Sequence, residues 1–475
     1  MSNYDKLIAL DSEINKIGAC ASILHYDMAT AMPKAGAEYR GGLMEMLSIT
    51  SSKMMKAKKF LKAIELAKSE ELSEDQKVNV ADIEDAVKFS NRIPTTLHGK
   101  LARSASECHA EWELVKAGGK DKKYLKLLDK QIGLIKKSID LANKGEFATP
   151  YDYLLDGYSE GISSEQIKIL FADLKPFVDS VLAKIPKTEV REFFASDEKV
   201  MIVAQKVAEM IIGNKDAFHL AKSTHPFCTT LGVDDVRITT RIKPGNILDS
   251  IGSTVHESGH ATYELGLNKK FYGLAIGSAA SIAAHEGISL FYEKHIGETV
   301  QFAKYLAESF GESVEDVLAW MRQVDPDNIV RTESDEITYQ RHIINRFTIE
   351  NEIFNGDLKT KDIPARWNEL YGKDFAPSVG YAIDVHWCQG SFGYFPSYTI
   401  GHMIAAQLKA KMSETIDFSA DIIEFDNIRA WLKSNYFDHG GRYDTSKLVK
   451  VATGSELSTK YWKNYIMNKF GVTDA

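Results

Sequence analysis

Apolar positions recur every three to four residues, with charged ones between them, at about 4–17, 36–69, 73–91, 97–117, 121–144, 164–184, 198–212, 247–266, 278–296, 313–323, 334–355, 398–413 and 456–470. That period predicts helices. Pro33, Pro94 and Pro150 fall at breaks between them, where a fixed φ and a missing N–H end one helix before the next begins. One stretch departs: residues 236–242 (VRITTRI) alternate β-branched with polar residues and predict a strand placed to edge a groove just before the helix at 247–266. No repeat, Ser/Gly linker or low-complexity tract divides the chain, and Gly118-Gly119-Lys120-Asp121 reads only as a turn. The expected fold is mostly α: a single large helical body over 1–475, cleft by a deep groove, with a small β-sheet beside it.

Composition narrows the class. With 475 residues, 44% hydrophobic and 26% charged, the chain can bury a large core and reads as an ordinary soluble protein. A net charge of −8 and a pI near 6.0 argue against nucleic-acid binding, which wants a basic face. The lysines between Lys53 and Lys62 are helically spaced and read as a solvated face. Cys20, Cys108, Cys228 and Cys388 are too sparse for a disulfide framework or a CxxC site, which fits a reducing cytosol. The N-terminus carries no signal-peptide pattern and no apolar run reaches the roughly 18 residues that span a bilayer, so neither export nor a membrane anchor is expected.

The chemistry concentrates in residues 253–264 (STVHESGHATYE), a His-Glu-x-x-His motif. Residues four apart share a helix face, so His256 and His260 can grip one metal ion. Glu257, turned about 100° away, borders the open side where a metal-bound water would sit. Neutral imidazoles suit zinc, which polarises a peptide carbonyl and lowers the pKa of its water towards about 7; a carboxylate then takes and returns the proton. Asn246 can cap this helix at Ile247 and Gly266 can end it after about five turns, while Gly252 and Gly259 weaken it locally.

A third ligand is expected from the next apolar helix, where His285 and Glu286 stand together. Only one of them can face the metal. Glu286 is the expected ligand, and His285 is left as a hydrogen-bonding neighbour or plain helix surface. Glu293 and His295 read as solvated near that helix's end, and Glu264 as structural.

These blocks, with their spacing, resemble the carboxypeptidase Taq family of zinc metallocarboxypeptidases, whose third ligand is a glutamate. The resemblance extends to His225-Pro226-Phe227 with Asp235-Val236-Arg237-Ile238-Thr239, to Val330-Arg331-Thr332-Glu333-Ser334-Asp335, to Gly380-Tyr381-Ala382-Ile383-Asp384-Val385-His386-Trp387 and to Gly393-Tyr394-Phe395-Pro396-Ser397-Tyr398. It also covers the Tyr26-Asp27 to Met32-Pro33 region, residues 151–156 and the last helix, and so nearly the whole chain. Ser334 replaces the pattern's Ala, Ile383 its Gln, and Gly287 a common Ser. The resemblance implies a glutamate-zincin type of fold with residues 1–95 as an N-terminal helical lid, a homodimer, and a zinc-dependent enzyme that hydrolyses the C-terminal peptide bond of peptides.

A carboxypeptidase must read a free C-terminal carboxylate, best done by a fixed arginine. Arg331 and Arg237 are the candidates, each with a structural alternative: an ion-pair network with Glu333, Asp335 and Glu336 for the first, pairing with Asp235 for the second. By analogy with more distant glutamate-zincins, His386 plus Tyr394 or Tyr398 would stabilise the oxyanion. Those aromatics equally well fill core. Asp384 either orients a zinc-bound histidine or serves as a cap or ion pair. His25, His98, His109, His219, His342, His402 and His439 read as surface or core. Cobalt or manganese can substitute for zinc at such ligands. Two rival readings stay open: an endo-acting zinc oligopeptidase, which would also cut amidated peptides, and a non-catalytic helical binding protein stabilised by zinc.

Overall fold

The helix expected at 247–266 forms over Ile247–Gly266, capped by the Asn246 side chain, which accepts from the Asp249 N–H at 3.2 Å. It is one of many in a computed structural model that describes residues 1–189, 191–331 and 334–473, apart from the side chain of Ser90. Part of the Val330–Asp335 block, Thr332 and Glu333, thus lies outside the described residues.

The first helix runs Asn3–Thr30, well beyond residue 17, because Ser2 and Asp5 close a capping box at its start and nothing breaks it before Pro33. The stretch 36–69 is two helices, Ala37–Met55 and Lys58–Lys68. Helices Pro150–Asp156, Val300–Phe310, Ile363–Tyr371, Phe425–Asn435 and Thr445–Thr453 are not among the predicted ones. The stretch 278–296 forms helix Ile282–Leu290 and then a π-helical turn, Phe291–Ile296, closed by the Gly297 N–H on the Tyr292 carbonyl at 2.7 Å.

Three strands make one small sheet: β1 (Phe218–Lys222), β2 (Cys228–Gly232) and β3 (Asp235–Thr240), ordered β1-β3-β2. The predicted strand is β3; it pairs parallel to β1 and antiparallel to β2, so it is central in the sheet, and none of its residues lines the cleft beside the motif helix. That corrects its expected place. β3 packs on the motif helix, and β2 lies along the same helix.

One large apolar core joins most helices from Cys108 to Ile466. A second, smaller core of Leu7, Ile14, Phe60, Ile64, Val80, Ile83 and Val87 holds the N-terminal helices together. Among the described residues no helix is long and apolar enough to cross a membrane.

Candidate metal centre

Two glycines let three helices close on one point. A Cβ at Gly259 would stand 2.7 Å from the Ser289 Cα, and one at Gly401, on helix Pro396–Met412, would stand 2.7 Å from the Glu286 Cβ. Helix Ile282–Leu290 is therefore pressed between the motif helix and the 396–412 helix, and Glu286 is aimed at the paired imidazoles. Ligand atoms of His256, His260 and Glu286 all lie within 4.8 Å of one another. The two imidazole rings are 4.9 Å apart and nearly perpendicular, with the His256 Nε2 3.5 Å from a Glu286 oxygen. Glu257 is buried beside them.

Each imidazole is held by its other nitrogen. The His256 Nδ1 meets the Glu293 Oε2 at 2.7 Å. The His260 Nδ1 meets the His285 Nδ1 at 2.6 Å, the His285 Nε2 meets the Glu264 Oε1 at 2.8 Å, and the Thr230 hydroxyl on β2 donates to the other Glu264 oxygen at 2.7 Å. Both Nε2 atoms are left for a metal. This makes His285 a hydrogen-bonding neighbour, and it corrects one expectation: Glu293 is half-buried against His256 and not simply solvated. His295 is buried too. Glu264, expected to be structural, closes a chain of hydrogen bonds onto the site. Glu293 follows Glu286 by two helical turns, so both acids face His256, a spacing the sequence contains.

The acid–base groups are tuned by burial. Burial pushes the Glu257 carboxyl up to about 7, with Glu286 and Glu293 adding to it and His256 opposing. A cation bound alongside would pull it down again. Burial, and then the neighbouring imidazoles, hold His260 well below the ordinary histidine value, as a neutral ligand requires.

The site opens into a cleft of about 650 Å³ lined by His256, Glu257, Glu293, Arg331, Tyr339, Tyr398 and His402 among others. The Arg331 Nε donates to Asp384 at 2.9 Å and its Nη1 to the Tyr339 hydroxyl at 3.3 Å. Asp384 also accepts from the buried Arg346 at 3.2 Å, whose guanidinium stacks on Trp387 at 4.1 Å. Asp384 thus fixes arginines and does not orient a metal-bound histidine. Arg237 is paired with Asp235 at 2.5 and 3.1 Å and packs over Tyr26 of the first helix. Tyr398 lines the cleft, and its hydroxyl shares a 2.6 Å hydrogen bond with that of Tyr394, on which His386 stacks at 5.3 Å. His402 and His342 are buried, and neither Tyr339 nor Arg346 was singled out by the sequence.

Two imidazole nitrogens and a carboxylate converging on one point, a buried glutamate next to them and an arginine along the cleft make up the site of a metallopeptidase. The comparisons narrow that class. The model of the carboxypeptidase Taq (M32) metallopeptidases matches residues 6–470. Thermostable carboxypeptidase 1 of Pyrococcus furiosus is 32% identical and carboxypeptidase 1 of Bacillus subtilis 31%, each over 98% of both chains. The solved structure of the Pyrococcus furiosus carboxypeptidase superposes with a TM-score of 0.93 over 99% of both chains at 30% identity. The chain belongs to the carboxypeptidase Taq (M32) family and is a metallocarboxypeptidase, a peptide hydrolase.

The structure also explains one departure from the family pattern. At Gly287 a Cβ would stand 2.5 Å from a methyl carbon of Ile404, so a serine does not fit without moving the 396–412 helix. Ile383, in place of the Gln, is buried next to Asp384.

Proposed function

We propose that the metal is zinc, held by the Nε2 atoms of His256 and His260 and by the Glu286 carboxylate, and that peptides with a free C-terminus lie in the cleft. The observation that carries this is the convergence of those three donors within 4.8 Å, with both Nδ1 atoms already engaged. Two nitrogens and one oxygen suit zinc, and cobalt or manganese as substitutes. Bound there, zinc would supply a Lewis acid for the scissile carbonyl and would acidify the attacking water. Glu257 removes the proton of that water and delivers it to the leaving amine. Arg331, locked by Asp384, offers its remaining N–H groups to the substrate carboxylate; Tyr398, backed by Tyr394 and His386, donates to the developing oxyanion. Arg237 belongs to the scaffold.

The protein works in the cytoplasm as a homodimer, and residues 1–95, with a core of their own, form a lid over the cleft. Replacing Glu257 with Gln tests the centre of the reading. The variant should keep one zinc per chain and lose hydrolysis of a free-acid peptide, and unchanged hydrolysis would refute the mechanism. Wild-type enzyme should shorten the free acid one residue at a time and leave its amide intact; internal cleavage of the amide would favour the endo-acting rival.

A further inference from the structure

Five charged side chains run in an alternating file from His256 to the C-terminal helix, Thr459–Phe470. The Glu293 Oε2 holds the His256 Nδ1 at 2.7 Å, and its Oε1 pairs with the Lys294 Nζ at 2.9 Å. Lys294 also donates to the Glu298 Oε1 at 2.8 Å. The other Glu298 oxygen and the Glu336 Oε1 both accept from the Lys469 Nζ. Their side chains are scarcely wet: Lys469 is 8% exposed, Glu298 11% and Glu336 2%. Nothing in the reaction described above uses Lys469.

Resting on the metal reading above, we propose that Lys469 is a positioning residue for the metal centre, acting on His256 through Glu298, Lys294 and Glu293. Three acids and two ammonium groups share this file, and buried ions keep their places only while each is compensated. Without Lys469, Glu298 and Glu336 confront each other across the vacated place. Lys294 is then the one cation left among three carboxylates and is drawn towards Glu298, away from Glu293. Glu293 loses the partner that fixes it, and His256 loses its fixed ring orientation. Removing a direct partner of a ligating histidine costs about 10- to 100-fold in metal affinity. Lys469 acts two links further out, so the lower end is expected.

Full-length protein stripped by a chelator is titrated with zinc against a chromogenic chelator, and with cobalt while its visible absorption is recorded. Lys469→Met should bind zinc about tenfold more weakly, with an altered cobalt spectrum, and at saturating zinc should show a lower kcat with an unchanged KM. Lys469→Arg should restore most of each. Lys463→Met, on the same helix but in a peripheral pair with Asp173 at 2.7 Å, should change none of them. If Lys469→Met does not fold, Lys469→Gln, which keeps a hydrogen-bond donor and removes only the charge, carries the measurement. Wild-type zinc affinity and cobalt spectrum in a folded Lys469 variant would overturn the proposal. Failure of the site itself looks different: wild-type protein would take up no metal, or His256→Ala would take it up normally.

Discussion

His260 and His285 meet nitrogen to nitrogen, Nδ1 to Nδ1 at 2.6 Å, so a single proton lies between them. The Glu264 carboxylate at 2.8 Å from the His285 Nε2 decides which ring owns it. His285 donates from Nε2 to Glu264, which makes its Nδ1 an acceptor, and His260 must carry its proton on Nδ1 and present a bare Nε2. His285→Ala should therefore weaken zinc binding about 10- to 100-fold, and Glu264→Gln less, since its amide oxygen still accepts. Competition with a chromogenic chelator reads both, and equal affinities for wild type and His285→Ala would rule out this role.

Arg331 owes its aim to Asp384, which takes its Nε, and to Tyr339, which takes one N–H of Nη1; the remaining N–H groups of the fork are left for substrate. Lysine keeps the charge and loses the fork. Arg331→Lys should lower kcat/KM for a free-acid peptide by about 10- to 100-fold, the worth of about 1.5–3 kcal/mol in hydrogen bonds to a charged group. Steady-state kinetics on wild type and variant give the answer, and a change below twofold would remove Arg331 from substrate recognition.

What could be read from the sequence follows the distance along the chain over which each contact is made. His256, Glu257 and His260 were legible because a helix turns local spacing into shared geometry. Glu293 was equally local, two turns beyond Glu286, yet its place near a helix end suggested solvent. The buried Arg346 and its bond to Asp384 join positions 38 residues apart, and no periodicity reports such a pair. Register failed for the same reason: β3 was visible by its alternation, but only β1 and β2, each five residues long, determine that it is central. The family resemblance named Arg331 and Arg237 alike. Their partners differ in a way the sequence does not show: Arg331 is held by Asp384, 53 residues further on, and Arg237 by Asp235, two residues away.

Gly401 sets how near the 396–412 helix comes to the metal ligand. Its missing Cβ leaves space that the Glu286 Cβ already occupies at 2.7 Å, with the Glu286 carbonyl carbon at 3.1 Å. Gly401→Ala must push the ligand helix away, at a cost of about 1–3 kcal/mol in stability. Because the shift falls on Glu286, zinc affinity should fall with it. Thermal unfolding of the metal-free protein and a zinc titration check the two effects, and a stable variant with normal affinity would show that the helices separate without moving Glu286.

His342 makes stability depend on pH. It is 1% exposed, and its Nε2 lies 3.2 Å from both the Arg346 Nε and an Asp384 oxygen. Burial, with Arg346 adding to it, holds the ring down to about 4 from an ordinary 6.5, although Asp384 pulls the other way. Above 6.5 neither the folded nor the unfolded chain protonates it, and it contributes no pH dependence. Between 6.5 and 4 the unfolded chain binds a proton that the folded chain refuses, so stability falls as pH falls, by up to about 1.4 kcal/mol per pH unit from this one group. His342→Gln keeps a polar side chain there and removes the titration. Urea unfolding at several pH values from 7 to 4 should give a shallower decline for the variant, whatever its stability at pH 7, and parallel curves would mean that His342 is already protonated in the fold.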